Sequence, residues 1–198
     1  MKNAKKALLL VLCAVLLVAA SVAGTLAYLT SNASVSNTFT VGNVSITMVE
    51  TKVNEYGVAL TDENAGTTNE GNTYKLIPGH TYTKDPTITV SENSENCYIL
   101  VKIENGLGSD ATLSMKTGWE KFNESSNTSI WVYGTNSEPV SVSKNDKVIP
   151  FTTFKFGDNA NPATYENSSI VVTAYAIQTD TLEDKTAENL WALLNPQS

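Results

Sequence analysis

One histidine, two cysteines and twenty carboxylates are the whole stock from which this chain could build hydrolytic or metal chemistry. Zinc hydrolysis needs several His or acidic ligands at set spacing, plus a general base. His80 stands alone in Pro78-Gly79-His80, and no HExxH pattern occurs. It reads as an exposed turn residue. The same shortage removes Ser-His-Asp and Cys-His catalysis, because His80 and Cys97 lie in unrelated contexts. Paired carboxylates of the glycosidase type depend on separation in space, which spacing along the chain does not report. Asp62-Glu63-Asn64 and Asp158-Asn159 are oxygen-rich, yet neither matches an EF-hand loop, and solvated turns explain both. Tyr56, Tyr74, Tyr82, Trp131 and Tyr133 could form a carbohydrate platform, but such residues more often pair across strands or fill a core. The expectation is a non-enzyme with no catalytic residue, no cofactor and no metal.

The elements around these residues begin with an export segment. Lys2, Lys5 and Lys6 precede an almost wholly apolar run over residues 7–23, and small residues gather at Ala23, Gly24, Thr25 and Ala27. Basic head, apolar middle and small-residue exit make a secretory signal, predicted as an N-terminal helix over residues 1–27. The run sits at the lower length limit for a membrane span, and no charged cluster follows to stop transfer. Cleavage is expected between Ala27 and Tyr28, with no lasting membrane insertion afterwards and a secreted or cell-surface location. Cys13 lies inside the segment, so Cys97 is the only cysteine of the expected mature chain. An internal disulfide is then impossible, and Cys97, in the run CYILVKI, reads as a buried small hydrophobe.

Composition narrows the partners. The 198-residue chain carries a net charge of −7, and losing three lysines with the signal makes it more acidic. It contains no arginine. An acidic surface without arginine argues against nucleic acid and anionic lipid.

Residues 28–198 read as one β domain. From Ala33 to Val41 the odd positions are Ala, Val, Asn, Phe and Val, separated by Ser and Thr, the period of a strand with one buried face. After Gly42-Asn43 the apolar residues continue on even positions, at Val44, Ile46 and Met48. A one-residue shift moves every side chain to the other face, so Gly42-Asn43 is a bulge, a turn or a change of partner. Residues 51–73 read as a long exposed loop with a small hairpin near Val58. Pro78-Gly79 marks a turn, and Pro86 belongs at a strand start. Residues 97–104 are the strongest central-strand candidate. Residues 111–123 are ambiguous, with Trp119 and Phe122 as anchors. Residues 129–133 form a strand, and 139–143 and 148–156 a hairpin about Lys144-Asn145-Asp146. Residues 169–178, apolar on both faces in places, form a long strand expected in a central position. Leu182, Ala187, Leu190, Trp191 and Leu194 then fit one helical stripe, with Asp180 or Thr181 as N-cap. The predicted class is all-β: an antiparallel β-sandwich, jelly-roll-like, with a short C-terminal helix.

The exit sequence GTLAYLTSNASVSNTFTVGNVSI resembles the signal and mature N-terminus of the TasA/camelysin family of SipW-dependent proteins secreted by Gram-positive bacteria. Ala27-Tyr28-Leu29-Thr30 and Thr38-Phe39-Thr40-Val41-Gly42 carry the resemblance, and LIPGHTYTKDPTITV, CYILVKIEN and SIVVTAYAIQ with its Trp-containing helix are similar to later blocks. The resemblance implies a jelly roll processed by a dedicated signal peptidase and, for the best-known members, biofilm matrix fibres. In such fibres the mature N-terminal segment completes the sheet of the next subunit. Here residues 28–42 would be the exchangeable segment, with Val35, Phe39 and Val41 as anchors and Gly42 and Asn43 as pivot. The partners implied are further copies or related matrix subunits. Two alternatives stand beside this. The strand can pair within its own domain, and the protein can be a monomeric cell-surface carbohydrate- or protein-binding module.

Overall fold

The computed structural model describes residues 43–180 and 182–195, together with Val15 and Leu16, which are helical. The chain divides into two compact units, Met1–Thr40 and Val41–Ser198. The strands of the second unit are β1 (Ile46–Thr51), β2 (Thr67–Thr68), β3 (Thr81–Thr83), β4 (Thr87–Val90), β5 (Cys97–Asn105), β6 (Ala111–Met115), β7 (Trp119–Ser125), β8 (Thr128–Tyr133), β9 (Ser141–Val142), β10 (Lys147–Val148), β11 (Phe151–Phe156) and β12 (Ile170–Gln178). Helix α1 (Ala187–Leu194) comes after them. Three antiparallel sheets result, in the orders β10-β4-β1-β2, β3-β11-β6 and β12-β5-β8-β7, with β9 pairing the start of β5.

The largest core joins the inner faces of the first and third sheets. Ile88, Val90 and Val148 from one meet Ile99, Val101, Ile103 and Val172 from the other. The expected phase of β1 is observed: Val44, Ile46 and Met48 all pack on this core. β5 is buried on both faces, which is why it reads as an unbroken apolar run. Its odd residues Cys97 to Ile103 enter the first core, whereas Tyr98 and Leu100 pack with Ala187 and Leu190 of α1.

Proline and glycine punctuate the fold where steric rules place them. Pro86 immediately precedes β4. Gly79 has φ of 76° in the turn that His80 N–H closes on the Ile77 carbonyl, a conformation that glycine adopts without a Cβ clash. A second core holds Tyr82, Leu107, Phe154 and Phe156. The spacing of Phe151, Phe154 and Phe156 breaks strict alternation because the β11–β6 register shifts between Phe151 and Phe154. Phe151 thereby faces the first core and the other two the second.

Three local expectations are corrected, and one open stretch is assigned. Residues 139–143 and 148–156 do not form a hairpin. The turn exists, with Asn145 at φ 67°, but β9 leaves it to pair β5 and β10 to pair β4. Pro150 then separates β10 from β11, which belongs to another sheet. The ambiguous stretch 111–123 supplies β6 and the start of β7. β12 is not central: among the described residues it pairs only with β5, along all nine residues. Its second apolar face is covered by α1, where Tyr175 meets Trp191 edge-on at 5.0 Å, rather than by a second neighbouring strand. Finally, the N-cap of α1 is Thr186 rather than Asp180 or Thr181. Asp184 accepts the Thr186 N–H at 3.0 Å, and that bond holds the Asp184 carboxyl below its usual range.

Cys97 is fully buried, and burial pushes its thiol up to about 11. Burial also raises the Tyr82 hydroxyl, and Tyr165 rises because it donates to Asp110 at 2.8 Å. The folded chain therefore keeps protons that the unfolded chain releases at alkaline pH. This stabilisation is complete below about pH 9 and is lost as pH rises through about 11. The melting temperature should fall steadily over that interval, and a neutral-pH thiol reagent should label Cys97 only on unfolding. A flat profile with rapid native labelling would show the site to be open.

Candidate functional site

A groove of about 830 Å³ is lined by residues of all three sheets and of the loops between them. Met48 and Glu50 of β1 line it, as do residues 69–76, Phe154, and the stretch from Pro162 to Val172 that enters β12. Two open edges border it. Among the described residues β12 is paired along one side only, and β1 is paired with β4 over Ile46 to Val49 but with β2 only at Glu50 and Thr51. An unpaired strand edge is a row of free donors and acceptors ready for another strand. Val44 just before β1, Ile46 and Met48 on β1, and Ile170, Ala174 and Ala176 on β12 pack on the core yet stay partly exposed. Apolar Met48, Leu76, Leu107, Phe154, Ile170 and Val172 share the groove's lining with polar residues, and the strand edges offer backbone pairing.

One end of the groove is polar. Glu50 continues the inward phase of β1, and Lys84 follows Tyr82 on the inward phase of the segment after β3; both are buried. Lys84 Nζ lies 2.6 Å from Glu50 Oε1. Asn72 Nδ2 donates to Glu50 Oε2 at 3.4 Å and to the Thr51 carbonyl at 3.0 Å. Asp85 holds the end of β1 by accepting the Thr51 N–H at 2.9 Å and its hydroxyl at 2.7 Å. Tyr74 donates to the Thr83 carbonyl at 2.8 Å, and its hydroxyl is raised above its ordinary range by burial first and the Glu50 charge second. A charged pair taken out of water this way is retained only with close geometry and further hydrogen bonds. Both conditions are met here.

The residues expected from the sequence fall in different places. Ala27, Tyr28, Val35, Phe39, Val41 and Gly42 lie outside the described residues, so the expected cleavage point, the expected donor strand and half of the expected pivot have no structural description. Asn43 is exposed, and its carbonyl accepts the Glu95 N–H at 2.9 Å. His80 is half-buried rather than exposed: its Nε2 is 2.9 Å from the Tyr56 carbonyl oxygen and its ring packs edge-on against Tyr82 at 4.6 Å. The five aromatics do not form one surface. Tyr82 is fully buried, Tyr74 sits at the groove, and Trp131 and Tyr133 pack on the first core. Asp62 accepts the Asn64 N–H in an Asx turn, and Asp158 pairs with Lys155 at 3.0 Å. Among the described residues, no three His, Cys, Asp or Glu side chains are grouped to hold a metal.

Glu50, Asn72 and Lys84 are not among the residues that the sequence singles out. A signal existed: Glu50 falls in phase with Val44, Ile46 and Met48, and Lys84 in phase with Tyr82, so each is a charge on an apolar face. That the two charges meet, and that Asn72 joins them from a loop, follows from tertiary structure alone. Among the described residues, no helix is long and apolar enough to cross a membrane. Comparison with family models, curated proteins and solved structures finds no match for this chain.

Proposed function

We propose that the chain is a secreted, non-enzymatic matrix protein that assembles head to tail, residues 33–41 of one copy adding to the open groove of the next. The observation that carries this reading is the nine-residue strand β12, paired on one side only among the described residues, whose first residues Ile170 to Val172 line a groove together with apolar Met48, Leu76, Leu107 and Phe154. A segment with alternating apolar residues suits such a groove, because backbone bonds supply affinity and every second side chain enters the apolar wall. Val35, Phe39 and Val41 are those side chains. Donation from one copy to the next does not close on itself, so it propagates as a filament. The added strand would complete a jelly-roll-like sandwich, the fold that the resemblance of the N-terminal stretch to the TasA/camelysin family also implies. Export through residues 1–27 and cutting between Ala27 and Tyr28 would free the donor end.

Electron microscopy and size exclusion of protein beginning at Tyr28, against protein beginning at Val44, test the reading. Filaments are expected from the first and monomers from the second. Phe39→Asp should abolish filaments while the domain stays folded, since it places a charge in the apolar wall. If the longer protein stays monomeric at high concentration and at acidic pH, strand donation is wrong and a monomeric surface binding module takes its place.

A further inference from the structure

The polar end of the groove has a chemistry that strand donation does not use. One carboxylate holds an amine on one oxygen and a primary amide on the other: Lys84 Nζ at 2.6 Å from Glu50 Oε1, and Asn72 Nδ2 at 3.4 Å from Glu50 Oε2. The Asn72 carbonyl oxygen accepts the Val53 N–H at 3.1 Å, and its Nδ2 also donates to the Thr51 carbonyl, so the carboxamide plane is fixed. A backbone N–H placed there polarises the carbonyl and stabilises negative charge forming on its oxygen. The side chains of Lys84 and Glu50 are only 8% and 9% exposed. Their backbones are pinned as well, Lys84 N–H to the Thr152 carbonyl at 3.0 Å and the neighbouring Thr51 to Asp85. A nucleophile, an electrophile and a shared acid–base are therefore held together in a site shielded from water.

We propose that Lys84 and Asn72 are joined by an intramolecular isopeptide bond, made by Glu50 acting as general acid and base. The Lys84 ammonium passes a proton to Glu50 along their hydrogen bond, which leaves a neutral amine. Its lone pair attacks Asn72 Cγ, a carbon–nitrogen bond forms, and the carbonyl pair moves onto Oδ1 against the Val53 N–H. Glu50 gives its proton to Nδ2 and takes one from the attacking nitrogen. The carbonyl re-forms, the Cγ–Nδ2 bond breaks, and neutral ammonia leaves, while Glu50 keeps the lysine's original proton and stays uncharged. One amine and one primary amide become one secondary amide and ammonia, so no oxidant or co-reactant is needed. Two features favour the forward direction. Holding the partners on one carboxylate replaces a bimolecular encounter with an intramolecular step, and a neutral amide replaces a buried charge whose desolvation is unfavourable. The link ties the loop lining one side of the groove to the segment after β3, and it holds whether or not the chain forms fibres.

Intact-mass spectrometry and tryptic mapping of the purified full chain test the bond directly. The mass should be lower than the sequence mass by one ammonia. Peptides 53–75 and 76–102 should appear as one branched species, with no cleavage after Lys84. Glu50→Ala should restore the full mass and linear peptides. Because that change also strands Lys84, Asn72→Ala serves as the second variant: it removes the electrophile, leaves the ion pair intact, and should fold with full mass and a lower melting temperature. A folded wild-type chain of full mass that trypsin cuts after Lys84 would overturn the proposal. So would the loss of one ammonia on linear peptides, which a succinimide leaves.

Discussion

Glu50→Ala is expected to destabilise the domain by about 3–5 kcal/mol, because it leaves the Lys84 charge buried with no partner. The geometry supports the upper part of that range. Lys84 is 7% exposed, its ammonium is 2.6 Å from the carboxylate it would lose, and Glu50 is its only salt-bridge partner among the described residues. Asn72 would also lose an acceptor, although its bond to the Thr51 carbonyl remains. The change removes the acid–base of the proposed isopeptide bond too, so in a cross-linked chain the loss is that of the cross-link, with Lys84 returned as an unpaired buried amine. Urea unfolding followed by circular dichroism measures the effect as a lower midpoint at similar slope. Glu50→Leu combined with Lys84→Met should recover part of the loss, since well-packed apolar side chains suit a buried site about as well as an ion pair does. A single-variant loss below about 1 kcal/mol, the range of exposed pairs, would show the pair to be solvated.

Phe154→Ala is the second large effect, expected at about 3–5 kcal/mol from lost transfer energy and the cavity left behind. Phe154 is 1% exposed at the centre of an aromatic cluster. It stacks on Tyr82 at 4.9 Å and meets Tyr74 edge-on at 5.2 Å. The surroundings cannot easily collapse into the space, because the Tyr82 hydroxyl is fixed, donating to the Lys75 carbonyl and accepting the Ile77 N–H, both at 2.7 Å. Phe154 also lines the groove, so the cavity would open into it. Any filaments formed by the proposed strand donation should weaken together with stability. The more conservative Phe154→Leu should lose much less, since most of the volume is kept. Equal losses for the two replacements would show that ring geometry, rather than volume, holds this core.

Much of the fold is legible from period and punctuation. The even phase of Val44, Ile46 and Met48, the apolar run of β5, the Pro78-Gly79 turn and the position of Pro86 each follow from a local rule, and each is where that rule puts it. The two misreadings of strand partnership share one cause. Residues 139–156 contain a real turn, yet the strands leaving it join different sheets, and no local rule reports a partner. β12 looks central because both faces carry apolar residues, but its second face is covered by α1. Apolar residues on both faces report burial, not how many strands lie alongside.

The candidate site divides the same way. Alternation at Ala33 to Val41 and the phase change at Gly42-Asn43 are written in the sequence, because side-chain direction along a strand depends only on parity. The groove and its polar end are not. Glu50, Asn72 and Lys84 lie on three separate segments, and only the pairing of β1 with β4 and the packing of the loop before β3 bring them to one carboxylate. Sequence alone determined which residues face inward. Tertiary structure decided which inward-facing residues meet, because contact between distant segments depends on sheet order and register, and neither has a local signature.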